Sequence, residues 1–328
     1  MHYEPHDYQK YATEKIIELP ACALFMEMGL GKTVSTLTAI DELIYDRFEV
    51  EKVLVIAPYR VADDTWTTET EKWDHLKHLR VSKVLGTSGE RIAALEADAD
   101  IYVINRENVT WLVNLTGKEW PFEMIVVDEL SSFKSNSAKR FKSLRIVRPL
   151  ARRFVGLTGT PAPNGLLDLW PQVYLIDRGE RLGKTYTGYK DRYFLPDRRN
   201  GFVVYSWTPK EGAKEAIEQK LSDICISMKA DDYLNLPAQI VNDVYVSMDR
   251  HEMRKYRELE KEKLLELDGK EITALSAAAV WGKLLQLANG AAYDGEGNVI
   301  PLHDRKLDAL AEILEASGGH PVLVFYNF

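Results

Sequence analysis

Apolar residues in the first half of the chain gather in short, nearly unbroken runs at Ala21–Met26, Val53–Ala57, 101–104, 124–127 and 154–157. A run apolar at every position, such as Ile125-Val126-Val127, predicts a strand covered on both faces. Between the runs, residues 33–44, 63–72 and 138–147 space their apolar positions as helices do. Strands alternating with helices predict an α/β fold built on a doubly wound parallel sheet.

Beyond residue 175 the pattern changes. Residues 178–210 are rich in Gly, Tyr and Arg, with a hairpin expected around Asn200-Gly201. A helix over 210–221 and a strand over 224–228 follow, then a turn-rich crossing over 231–237 and a strand over 240–246. Helical patterns cover 250–267 and 274–289. A turn at 294–298 and a helix over 304–316 precede a last apolar strand at 322–326. That strand has no evident partner before the chain stops at Phe328, which reads as a cut within a domain.

Composition adds limits. With 45% hydrophobic and 28% charged residues over 328 positions, the chain can bury a sizeable core in one or two domains. No apolar run reaches the ~18 residues of a membrane span, and the polar start is no signal peptide. Two cysteines about two hundred residues apart fit a reduced, cytoplasmic protein better than a disulfide framework.

The net charge of −8 is unevenly spread. Residues 1–120 carry 13 basic and 21 acidic side chains, residues 121–220 carry 18 and 11, and residues 221–328 carry 11 and 18. Within the basic third, Lys134, Lys139, Arg140, Lys142, Arg145, Arg148, Arg152 and Arg153 run without an intervening acid. Such a stripe is what phosphate binding needs, although a solvated helix face looks the same in sequence.

Three segments carry chemistry. Met26-Glu27-Met28-Gly29-Leu30-Gly31-Lys32-Thr33 leaves a strand and opens a helix. Its glycines free backbone N–H groups for phosphate, Lys32 reaches the β/γ-phosphates, and Thr33 holds magnesium. Met26 stands where the usual first glycine would be. Gly183-Lys184-Thr185 repeats the tripeptide with no apolar strand before it, and is a decoy. Asp128 and Glu129 close the run 124–127; a carboxylate there is costly unless a cation answers it. Asp128 would hold Mg2+, and Glu129 would orient or deprotonate an attacking water. Gly156-Leu157-Thr158-Gly159-Thr160-Pro161 closes another strand; alone it reads as an ordinary turn, but beside a nucleotide site its hydroxyls could bond a γ-phosphate or Glu129 and so sense hydrolysis. The histidines are scattered, and His75 with His78 lacks a ligand set. Tyr186, Tyr189, Tyr193 and Phe194 are expected to pack rather than to touch nucleic acid.

These segments, with Tyr8-Gln9, Val55-Ile56-Ala57-Pro58, Trp66 and Trp73, stand in the order and spacing of superfamily-two helicases. Met28 to Thr33, Lys139 to Arg145 and Leu166-Leu167-Asp168-Leu169-Trp170 resemble the Swi/Snf-type DNA translocases, and the short inserts resemble compact phage and prophage versions.

The resemblance implies a RecA-like nucleotide-binding lobe over 1–230 with an inserted protrusion at 178–220. An inter-lobe crossing at 231–248 and the beginning of a second lobe over 249–328 would follow. It implies ATP and Mg2+ as cofactors. Gln9 would read the adenine, Met28, Gly29, Leu30, Gly31, Lys32 and Thr33 would hold the phosphates and metal, and Lys32, Asp128 and Glu129 would serve hydrolysis. Thr158, Gly159 and Thr160 would couple hydrolysis to movement. Pro58, Arg60, Asn105, Arg106, Lys134, Lys139 and Arg140 would face double-stranded DNA.

Departures from the pattern are Ser131 where histidine is usual, Pro163 where glutamine is common, and Ser227-Met228-Lys229 in place of a double arginine. The family's arginine-finger motifs have no counterpart, so this chain by itself should turn over little ATP.

The expectation is a monomeric ATP-dependent motor on double-stranded DNA, with no membrane association, in a bacterial or phage-infected cytoplasm. The alternatives are a nucleic-acid-binding scaffold with a degenerate ATPase, or a strand-separating helicase or restriction-type motor subunit.

Overall fold

The computed structural model describes residues 1–200, 203–233, 241–262, 264–267, 270–273, 277–317 and 321–327. They fall into two compact units, Met1–Leu236 and Pro237–Phe328.

In the first unit the apolar runs form the expected parallel strands: β1 (Ala21–Met26), β2 (Val53–Ala57), β4 (Ile101–Asn105), β5 (Met124–Asp128) and β6 (Arg153–Thr158). Two more complete a seven-stranded sheet, β3 (Val81–Val84), which the apolar pattern does not announce, and β7 (Cys225–Met228). The order across the sheet is β7-β1-β6-β5-β2-β4-β3. β3 lies at an edge, and its central residues Ser82 and Lys83 break the apolar run.

Successive residues of a strand point to opposite faces. Leu54, Ile56, Tyr102, Ile104, Ile125 and Val127 accordingly join one apolar cluster, and Val53, Val55, Ile101, Val103, Met124 and Val126 the other. The first is closed by α4 (Ser88–Glu96), α5 (Val109–Thr116), α6 (Lys139–Val147) and α7 (Leu169–Asp177). The second is closed by α1 (Asp7–Glu18), α2 (Lys32–Asp41) and α3 (Trp66–Lys72). Burial on both faces is why these strands read as continuous apolar runs.

Part of the expected protrusion belongs to this core. Tyr189, Tyr193 and Phe194 are buried, from α8 (Tyr186–Tyr193) and the strand Phe194–Pro196, together with Ile217 of α9 (Ala213–Leu221). The expected hairpin appears as Arg199–Asn200 paired with Val203–Val204. Gly183-Lys184-Thr185 merely starts α8, where Thr185 accepts the Gly188 N–H as an N-cap.

The second unit differs more from expectation. The helix expected over 250–267 stops earlier, as α10 (Arg250–Glu262), and Leu264–Leu267 pairs antiparallel with Lys270–Thr273. α11 (Ala277–Ala288), the hairpin Ala291–Tyr293 with Val299–Pro301, and α12 (Arg305–Ala316) follow the pattern. The strands expected at 240–246 and 322–326 do not form among the described residues; Ile240 lies outside them. A strand exists only by bonding a neighbour's backbone, and no described segment supplies that neighbour. No helix among the described residues is long and apolar enough to cross a membrane.

Candidate functional site

In a parallel sheet every strand ends at the same edge. β1, β5 and β6 are neighbours there, so Met26, Asp128 and Thr158 end side by side. This is where open α/β sheets bind ligands.

From Met26 the chain turns through Gly29 and Gly31, both at positive φ, and Gly31 caps α2 in the left-handed conformation. A side chain at Gly31 would be strained and would meet Gln9 Nε2 at 2.4 Å. Gln9 braces this loop: its Nε2 donates to Leu30 O at 3.3 Å, and its Oε1 accepts from His6 N at 3.0 Å. The first turn of α2 leaves its N–H groups without intrahelical acceptors, as an anion site requires. Lys32 Nζ folds back to donate to Met26 O at 2.7 Å and Glu27 O at 3.1 Å. Met26 itself is fully buried as the last residue of β1, so the place of the missing glycine is taken by core packing.

Burial pushes the Lys32 ammonium below its ordinary value, against the pull of Asp128, Glu129 and Glu27. Burial likewise pushes the Asp128 carboxyl up, opposed by a hydrogen bond from Trp66 and by the charge of Lys32. Trp66 Nε1 donates to Asp128 Oδ2 at 3.1 Å.

Glu129 takes a left-handed backbone (φ 60°), rare for a residue with a side chain, and starts the turn Leu130–Phe133. Thr158 Oγ1 donates to Glu129 Oε1 at 2.9 Å, and Ser131 Oγ donates to the same oxygen. Gly156 packs beneath the turn that follows Glu129, where an added Cβ would meet Leu130 Cδ2 at 2.4 Å. Thr160 N–H donates to Thr158 Oγ1 at 3.2 Å. Gly159 lies against the start of the loop that follows β1, with ideal Cβ contacts of 3.4 Å to Met26 O and 3.7 Å to Glu27 Cα.

A cleft of about 710 Å³ opens beside the loop, lined by Gln9, Met28, Gly29, Gly31, Lys32 and Thr33. Its other wall comes from the amino-terminal residues and α3, where Tyr3 packs edge-on to Trp73 at 5.1 Å between ring centroids. The sequence reasoning missed this wall. It also missed the bonds of Trp66 and Ser131. The one signal for Ser131 was its departure from the usual histidine.

The residues assigned to DNA are less uniform. Pro58 and Arg60 follow β2, with Arg60 exposed. Asn105, at the end of β4, is buried; it donates to Glu107 Oε2 at 3.1 Å and accepts from Asn108, while Arg106 pairs with Glu107 at 2.9 Å. Lys134 and Lys139 are exposed, and Arg140 lies half-buried over the Phe133 ring.

The basic stripe is not one surface. Arg148 is buried and donates to Leu175 O, Ala151 O and Ile176 O, closing the carboxyl end of α7. Arg153 is buried within β6 and donates to Glu49, Ile16 O, Ile17 O and Leu19 O. Arg152 pairs with Glu123 at 2.9 Å. Local charge counting cannot separate these structural arginines from exposed ones, because most of their acceptors are distant in sequence. His75 and His78 bond Thr38 and Asp41 within the fold.

The SNF2-related domain family matches residues 11–290. A protein p41 of Acyrthosiphon pisum secondary endosymbiont phage 1 is 38% identical over 99% of this chain and 72% of its own length. The mouse DNA excision repair protein ERCC-6-like is 30% identical over 52% of this chain but only 14% of its own length. Among solved structures, the Sulfolobus solfataricus SWI2/SNF2 ATPase core in complex with dsDNA superposes with a TM-score of 0.59 at 21% identity, over 96% of this chain and 64% of that one.

Proposed function

The chain belongs to the family of SNF2-related domains, and on that premise we propose that it is the nucleotide-binding part of an ATP-dependent motor acting on double-stranded DNA. The observation that carries the proposal is the meeting of Lys32, Asp128, Glu129 and Thr158 at one sheet edge beside a glycine-turned helix start. The donor set fits a magnesium-bound nucleoside triphosphate. Lys32 spends its ammonium on the loop's own carbonyls, and the buried Asp128 carboxylate takes its hydrogen bonds from neutral donors, the Trp66 indole and the Glu129 backbone N–H.

In this proposal Gly29 to Thr33 offer backbone N–H groups and a hydroxyl to phosphate, and Lys32 swings from Met26 O to the β/γ oxygens. Thr33 and Asp128 would hold the metal. Bound Mg2+ supplies charge neutralisation on the phosphate oxygens. Glu129 keeps Oε2 free to take a proton from water while Ser131 and Thr158 hold Oε1 in place. Gln9 keeps the loop closed, and a role toward the adenine would exchange one of its present bonds. Arg60, Lys134, Lys139 and Arg140 are the proposed duplex contacts, supported by exposure or half-exposure and by charge. Asn105 and Arg106 would first have to release Glu107.

The test is calorimetry of Mg2+-ADP binding together with phosphate release in the presence of duplex DNA. Binding should be present and lost in Lys32→Ala. Turnover by this chain alone should be slow, since a missing arginine finger costs roughly 10³–10⁵ in rate. Equal affinity in Lys32→Ala would overturn the site, and brisk DNA-stimulated turnover would overturn the need for further catalytic groups.

A further inference from the structure

A buried indole N–H needs an acceptor. Trp66 is fully buried, and its N–H reaches the Asp128 carboxylate at 3.1 Å, 62 residues away in sequence. Phe would fill much of the same apolar space, so packing alone does not call for an indole; the N–H is what Asp128 receives.

Trp66 is rigidly joined to the segment after β2. Residues 59–72 form one continuous helical stretch, with the π-helical turn Val61–Thr65 leading straight into Trp66. Ala62 N–H donates to Pro58 O at 2.9 Å, which ties the start of the stretch to the strand end. π turns are rare and recur at functional positions. A displacement of Pro58 or Arg60 therefore moves the helix that carries the indole.

Resting on the proposed roles of Asp128 toward Mg2+ and of Pro58 and Arg60 toward DNA, we propose that Trp66 is a positioning residue that couples them. Contact of a phosphate backbone with the segment 58–60 resets the indole and so the orientation of Asp128. By linkage, a magnesium-bound nucleotide alters duplex affinity by the same factor.

Trp66→Phe, which keeps the ring and removes the N–H, is the direct test on the whole chain. The Mg2+ concentration that half-saturates ADP binding should rise roughly 10–100-fold, as for other outer partners of metal ligands. Affinity for ADP without metal should stay unchanged. In the unaltered chain, duplex DNA should shift that Mg2+ midpoint; in Trp66→Phe the shift should vanish. An unchanged midpoint in a folded Trp66→Phe overturns the inference while leaving the nucleotide site standing. Failure of the unaltered chain to bind ADP at any Mg2+ concentration overturns the underlying function as well.

A second measurement avoids the variant. In the unaltered chain, labelled at its indole nitrogens, the Trp66 resonance should move on adding Mg2+-ADP and, separately, on adding duplex. A Trp66 resonance that ignores both additions overturns the coupling.

Discussion

Thr158 and Glu129, 29 residues apart in sequence, are joined by a 2.9 Å hydrogen bond from the threonine hydroxyl to the glutamate Oε1. The bond links the ends of neighbouring strands, so a shift of β6 is felt at the carboxylate. A hydrogen bond to a charged group is worth about 1.5–3 kcal/mol. Thr158→Val, close in shape, should leave nucleotide affinity within about twofold. In a version competent for hydrolysis it should slow turnover roughly 10–100-fold, the same energy expressed as rate. Single-turnover phosphate release checks this; an unchanged rate would make the bond structural only.

Ser131 shares that oxygen with Thr158. Ser131→Ala should slow turnover while Ser131→Thr restores much of it, because only the hydroxyl matters. Equal rates for both variants would remove Ser131 from the site.

Asp128 lets stability be set against the proposed function. Burial raises its carboxyl above the ordinary value, so at neutral pH the charged form costs the nucleotide-free protein stability. That cost is relieved as pH falls from the raised value toward the ordinary carboxylate range. Asp128→Asn keeps an acceptor for Trp66 and should melt higher than the unaltered chain at pH 7–8. The gain should be about 2–4 °C per kcal/mol recovered, and it should shrink on acidification. A difference that grows at lower pH would contradict the assignment.

The basic residues divide into two kinds of effect. Lys139→Glu with Arg140→Glu should leave the fold intact and lower the slope of log duplex affinity against log salt by about two. Arg148→Ala leaves buried carbonyls of Leu175, Ala151 and Ile176 without their donor, and should cost at least ~3 kcal/mol of stability. Salt-dependent binding curves and denaturant melts separate the two. A DNA-specific loss in a stable Arg148→Ala would reverse the division.

What the sequence determined by itself was whatever local pattern controls. Unbroken apolar runs marked the strands buried on both faces, and residues such as Lys32, Asp128 and Thr158 were readable as candidate site residues because each stands at a strand end or helix start. Only the tertiary structure decided which arginines are spent inside, that Glu129 shares one oxygen between Ser131 and Thr158, and that Trp66 bonds Asp128. It also decided that 241–246 and 322–326 form no strand while the short edge strand β3 does. The reason is common to all of these. A charge, an indole N–H or a strand's backbone takes its meaning from a partner that folding brings close, and that partner leaves no trace in the spacing of neighbouring residues.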